Sequence, residues 1–169
     1  ELATIGVVNV VDPEECGADG SIELTFTGVE DGSYDISYDG GTFEDVVVTD
    51  GNATVGAPAG AYQNLTITVD GCTSADGVNA SLSDPDAPEA PVATVTHADC
   101  DVATGSIVVD EPAENAEYTL SGEGVNLTDS NGEFLNLTPG EYSMTVTISG
   151  CTSATSEYTI DPQPETTTA

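Results

Sequence analysis

The chain has 169 residues, no lysine or arginine, and 31 aspartates and glutamates, giving a formal charge of -31 with its one histidine neutral. It has no lysine or arginine with which to neutralise a phosphate backbone, so nucleic acid and anionic membrane surfaces are poor partners, and neither nucleic-acid binding nor membrane insertion is expected. With almost no internal ion pair available, the carboxylates must be tolerated through hydration, salt or bound cations.

Charge of this size often marks disorder, but here alternating Val, Ile, Thr and Tyr argue for strands. Residues 3–11 form an apolar, β-branched run that stops at Asp12-Pro13. After Cys16 the segment 20–27 alternates strictly, placing Ile22, Leu24 and Phe26 on one face. Residues 33–38 and 43–48 follow, joined at Asp39-Gly40-Gly41 as a hairpin. Asp50-Gly51 turns the chain into residues 52–57, then come a strand at 61–69 and a closing strand at 78–82. Residues 84–91 carry Pro85, Pro88 and Pro91 and read as a semi-extended linker.

The same order then returns: strands at 92–96, 105–109, 117–120, 133–137, 141–148 and 157–160. No stretch shows capped helical periodicity, and no run of 18 apolar residues could form a transmembrane helix. The expected division is a first module at 1–83, the linker at 84–91, a second module at 92–162 and a tail at 163–169. Each module has about 80 residues, a size at which a hydrophobic core is marginal and a covalent staple helps.

The repeat is clearest around Pro139-Gly140-Glu141-Tyr142, whose strand runs to Gly150-Cys151-Thr152, and around Gly60-Ala61-Tyr62, whose strand runs to Gly71-Cys72-Thr73. Leu65, Ile67 and Val69 align with Met144, Val146 and Ile148 as the inward face. Tyr62 lies one residue farther from its cysteine than Tyr142 does, so a β-bulge is expected near Gln63-Asn64. A Tyr just after a Gly corner is the position of the tyrosine corner in immunoglobulin-like sandwiches, where the hydroxyl bonds to upstream backbone. Four cysteines allow three pairings, and the repeat selects Cys16 with Cys72 and Cys100 with Cys151, each worth about 4 kcal/mol in the chain-entropy model. The competing state is four reduced thiols. A zinc site would want CxxC spacing, which is missing, and His97 is the one imidazole.

Cys100, Gly105-Ser106-Ile107, Pro112, Tyr118-Thr119, Phe134, Leu137-Thr138-Pro139-Gly140-Glu141-Tyr142, Val146 and Gly150-Cys151-Thr152 together resemble the SprB-type repeat of gliding-bacterium adhesins. The first module keeps Cys16, Gly20-Ser21-Ile22, Tyr34, Gly60-Ala61-Tyr62 and Gly71-Cys72-Thr73. The resemblance implies an immunoglobulin-like extracellular repeat in long surface fibres, without catalytic residues.

Five Asn-x-Ser/Thr sequons, at Asn52, Asn64, Asn79, Asn126 and Asn136, are candidate glycosylation sites. Asp84, Asp86 and Glu89, or Asp99 and Asp101, are candidate Ca²⁺ ligands, weighed against a plain solvated acidic surface. No nucleophile has a base partner repeated in both modules, and no insertion forms a cleft between paired carboxylates, so an enzyme is not expected. The expected protein is all-β: two tandem immunoglobulin-like sandwiches with one disulfide each, in an extracellular filament or surface adhesin. Its partners would be copies of itself, neighbouring modules, surface polysaccharide or other cells. Residues 3–11 are a candidate donor strand for a neighbouring subunit. The alternative is a secreted carbohydrate-binding module using Tyr34, Tyr38 and Tyr118 as a stacking platform. Absent cations suit a salt-adapted coat or exposure to proteases that cut after Lys or Arg, and both settings lie outside the cell.

Overall fold

The computed structural model describes residues 2–165, and every regular element among them is a strand. The chain divides into two compact units, Glu1–Pro85 and Asp86–Ala169, and the division falls within the proline-rich stretch.

Unit 1 contains β1 (Thr4–Val11), β2 (Asp19–Thr27), β3 (Gly32–Tyr38), β4 (Gly41–Val48), β5 (Asn52–Pro58), β6 (Gly60–Val69), the two-residue β7 (Cys72–Thr73) and β8 (Val78–Leu82). One sheet is ordered β1-β2-β5; the other is ordered β4-β3-β6, with both β7 and β8 pairing β6. All pairs are antiparallel. Ile22 and Leu24 from the first sheet and Ile36, Leu65 and Ile67 from the second are at most 1% exposed and belong to one core. Each such side chain contributes roughly 1.5–3 kcal/mol by leaving water. The alternation of β2, with Ile22, Leu24 and Phe26 buried and Glu23 and Thr25 exposed, is the signature of a sheet wet on one side.

Unit 2 repeats the plan with β9 (Ala93–Thr96), β10 (Gly105–Val109), β11 (Glu117–Gly122), β12 (Val125–Asp129), β13 (Glu133–Leu137), β14 (Gly140–Ile148), β15 (Cys151–Thr152) and β16 (Ser156–Ile160). Its sheets are β9-β10-β13 and β12-β11-β14, with β15 and β16 both pairing β14. Ile107, Leu120, Met144 and Ile160 are its most buried aliphatic side chains. A three-stranded antiparallel sheet facing a five-stranded one, with the fourth strand of the unit hairpinned to the third, is an immunoglobulin-like sandwich plan. The protein is two such sandwiches in tandem.

Both tyrosine corners form. Tyr62 Oη donates to the Pro58 carbonyl and Tyr142 Oη to the Thr138 carbonyl, each at 2.7 Å and each four residues upstream. The extra residue before Cys72 is absorbed where it was expected: the β6–β8 register slips between Tyr62 and Leu65, and Asn64 sits at φ 54°. Another bulge, not read from the sequence, interrupts β13 against β10, with Asn136 at φ 56°. The Gly of each Gly-Ser-Ile motif is needed for close approach. A Cβ on Gly20 would lie 2.4 Å from the Val11 carbonyl oxygen, and one on Gly105 would lie 2.2 Å from that of Thr96.

Three expectations are corrected. The within-module disulfides do not form: Cys72 and Cys100 are free and exposed, while Cys16 and Cys151 are disulfide-bonded. The reason is length. Cys72 pairs with Val69 at one end of β6, whereas Cys16 precedes β2, whose first residue Asp19 pairs with Pro58 beside the other end. A ten-residue strand spans about 30 Å, far beyond the Cα separation of about 4.4–6.8 Å a disulfide tolerates. Cys151 pairs with Ile148 at the far end of β14, and Cys100 lies in the loop between Thr96 and Gly105, whose partner Leu137 precedes β14. Residues 3–11, the candidate donor strand, are also placed otherwise. β1 is hydrogen-bonded to β2 from Thr4↔Thr27 to Val11↔Ser21, and Ala3 and Ile5 lie in the core of their own unit. Thirdly, Tyr118 is 3% exposed, so it is a core residue and not part of a sugar platform. Of the tail at 163–169, residues 166–169 lie outside the described residues.

Candidate functional surface

The strand ends position the chemistry-bearing residues of each sandwich. β6 and β14 each run into a two-residue turn with both residues at positive φ: Asp70 (49°) and Gly71 (81°), Ser149 (48°) and Gly150 (75°). That conformation suits the right-handed twist of a hairpin and delivers the cysteine opposite the last strand residue. The short return strand is held identically in the two units. Ser74 Oγ accepts from the Ile67 N–H and Ser153 Oγ from the Val146 N–H, while Thr68–Thr73 and Thr147–Thr152 hydroxyl pairs meet at 2.9 Å. Cys72 and Cys151 are therefore the same position in two copies, one exposed and the other 3% exposed.

The other two cysteines sit in the loops between the first two strands of each unit. Around Cys16 the loop is fastened to residues that follow β8: the Gly17 N–H donates to Asp84 Oδ1 at 3.3 Å, and Cys16 Sγ lies 3.6 Å from the Pro85 carbonyl oxygen. Around Cys100 the loop is a tight turn in which Asp99 Oδ1 accepts from the Asp101 and Val102 N–H groups. In each unit, then, the chain enters at the hairpin-cysteine end and leaves at the loop-cysteine end. Thr4 opens unit 1 opposite Thr27, and Leu82 closes it opposite Gly60. Ala93 opens unit 2 opposite Val109, and Ile160 closes it opposite Gly140.

The acidic residues proposed for calcium are used as turn caps in part. Asp84 and Asp99 accept backbone N–H bonds as above, and among the described residues no cluster of three or more His, Cys, Asp or Glu side chains is placed to hold a metal. His97 Nδ1 accepts from the Asp161 N–H at 3.0 Å, so this imidazole ties the exit of unit 2 to its first loop. Asp129 Oδ1 accepts from the Asn131 and Glu133 N–H groups, and these backbone bonds lower its pKa below the ordinary carboxylate value. Tyr62 is shifted the other way, its pKa raised by burial and further by the neighbouring Tyr38 and Asp19.

All five sequon asparagines are exposed. Asn52 Nδ2 donates to the Asp50 carbonyl, Asn64 Nδ2 to Asp39 Oδ2, and Asn79 Oδ1 accepts from the Asn64 N–H. Tyr34 and Tyr38 are half-buried against the core of unit 1, with Tyr38 packed against Phe43 and Tyr62 at ring-centroid distances of 4.9 and 5.1 Å. Tyr118 Oη accepts from the Ala113 N–H inside unit 2. Tyr34 and Tyr38 thus pack into unit 1 and Tyr118 into unit 2.

No protein-family model matches the chain, and no curated protein matches it in sequence. Among solved structures, titin A168169 aligns over 98% of this chain and 100% of its own at 13% identity, with a TM-score of 0.41. The human OSCAR ligand-binding domain aligns over 95% and 98% at 15% identity, TM-score 0.33. The BSP domain of a biofilm-associated protein aligns over 94% of this chain at 15% identity, TM-score 0.31, and this chain spans 30% of that one. The fold assignment rests on the strand order and the tyrosine corners described above.

Proposed function

We propose that the protein is a structural repeat segment of an extracellular filament or surface adhesin of the SprB-repeat type. The observation that carries this reading is the in-line path of the chain: each sandwich takes in the chain at one end and releases it at the other. Modules with ends so placed can be strung along a line and pulled along it, which is what a fibre needs. The second unit also grips the chain at its entrance. Ser156 Oγ and Tyr158 Oη donate to the Pro91 carbonyl at 2.7 and 2.6 Å, fastening the end of the proline-rich stretch to β16.

The sequons supply the coat. Asn52, Asn64, Asn79, Asn126 and Asn136 are solvent-facing, as N-glycosylation requires, and intact mass before and after deglycosylation reads their occupancy. The disulfide-bonded Cys16 and Cys151 favour an oxidising compartment, and a chain without Lys or Arg resists cleavage after those residues. Immunogold electron microscopy of native cells is the decisive experiment. Label arrayed along surface fibres supports the reading, and label confined to the cell interior overturns it.

A further inference from the structure

The two thiols left free are not equivalent to each other. Cys72 is an entry-end hairpin cysteine, the counterpart of Cys151, and Cys100 is an exit-end loop cysteine, the counterpart of Cys16. One cysteine of each type is oxidised and one of each type is free. Both free thiols are exposed, and each lies at an end of its unit where the chain enters or leaves: Cys72 at the Thr4 end of unit 1, Cys100 at the Ile160 end of unit 2. Apolar side chains stand exposed toward the same ends of the units, Leu2 just before β1 at 49% and Val102 two residues after Cys100 at 53%. The local frame of Cys72 also shares with that of its oxidised counterpart the serine hydroxyl accepting a backbone N–H and the cross-strand threonine pair.

We infer that Cys100 of one copy of this chain forms a disulfide with Cys72 of another, so that copies join head to tail through one exit-type and one entry-type cysteine. The inference rests on the fibre reading for its partner, a second module of the same kind, and adds a covalent joint to it. The oxidant is a low-molecular-weight disulfide such as glutathione disulfide. The Cys100 thiolate attacks it, releasing one glutathione thiolate; the Cys72 thiolate attacks the mixed disulfide, releasing the second. Two protein thiols are oxidised, one glutathione disulfide is reduced to two glutathiones, and the two protons go to the leaving thiolates.

The test uses the full chain in two exposed-site variants, Cys72→Ser and Cys100→Ser, one of them labelled with ¹⁵N, in a glutathione redox buffer. Each variant alone stays mainly monomeric on non-reducing gels, because like ends do not dock to bring identical thiols together. Mixed, they form the heterodimer in about tenfold excess over either homodimer, a bias equal to about 1.4 kcal/mol of docking preference. Digestion after acidic residues then yields one cross-linked peptide pair containing Cys72 and Cys100. Homodimers at statistical yield, or thiols that stay fully titratable after oxidation, overturn the inference. Failure here with fibres still labelled in situ would remove the joint and leave the fibre; coupling in vitro with no label on the cell surface would do the reverse.

Discussion

The tyrosine at each corner carries a polar tip into an otherwise apolar sandwich, and the carbonyl it bonds has been chosen by chain geometry four residues back. Removing the hydroxyl leaves that carbonyl without its partner in a partly buried place. Tyr142→Phe and Tyr62→Phe are each expected to destabilise their own unit by about 1–2 kcal/mol, read from urea denaturation midpoints. Tyr62 adds a pH dependence. Its pKa is raised in the folded state, so the folded chain keeps this proton at pH values where the unfolded chain has lost it. The stability it contributes is whole below the ordinary tyrosine pKa and is lost as pH rises through the raised value. Asp129 behaves oppositely: its lowered pKa means stability present above the ordinary carboxylate range and lost as pH falls through the depressed value. Carboxyl-carbon NMR should find Asp129 titrating below the bulk of the acidic residues, and an ordinary midpoint would refute the turn-capping role.

At the scale of elements, the Gly-Ser-Ile motif marks where the second strand of each unit slides closely past the first. Gly105→Ala should cost unit 2 about 1–3 kcal/mol, the usual range for overpacking, because the atoms its Cβ meets include the fixed Thr96 backbone. Gly56→Ala is the control. Gly56 is exposed on β5 and its nearest neighbour would be the Gly20 carbonyl at 3.9 Å, so this substitution should leave the denaturation midpoint nearly unchanged. Most of the strands were legible because one face is buried, so that alternation betrays them, and the bulge at Asn64 was legible because the repeat shows one residue too many. β12 was not, since Val125–Asp129 is an edge strand with no buried residue and so carries no alternation to read. The cysteine pairing was misread for a related reason: the repeat tells which residues correspond, but not that β6 and β14 hold the two cysteines of a module a full strand length apart. Tyr118 enters the sugar-platform alternative because its aromatic type suits both a platform and a core, and only packing decides for the core.

For the whole molecule the dominant fact is electrostatic. The chain has no Lys or Arg, and Nδ1 of its one histidine, His97, accepts the Asp161 N–H, so the acidic coat has no cationic side chains interleaved to relieve it. Folding concentrates 31 carboxylates on two small sandwiches, and the mutual repulsion is larger in the compact state than in the expanded chain. Salt weakens it by shortening the screening length, from about 30 Å at 0.01 M to about 3 Å at 1 M. The thermal midpoint should therefore climb steadily as sodium chloride is raised across that range, most steeply at the low end where the screening length falls through the spacing of the charges. Calcium chloride at matched ionic strength separates screening from site binding: a rise equal to that in sodium chloride means diffuse counterions suffice, whereas a much larger rise saturating at low concentration would assign Asp84, Asp86 and Glu89, or Asp99 and Asp101, a binding role. A midpoint indifferent to sodium chloride would show that the coat does not strain the fold, and the salt-adapted reading of its composition would fall with it.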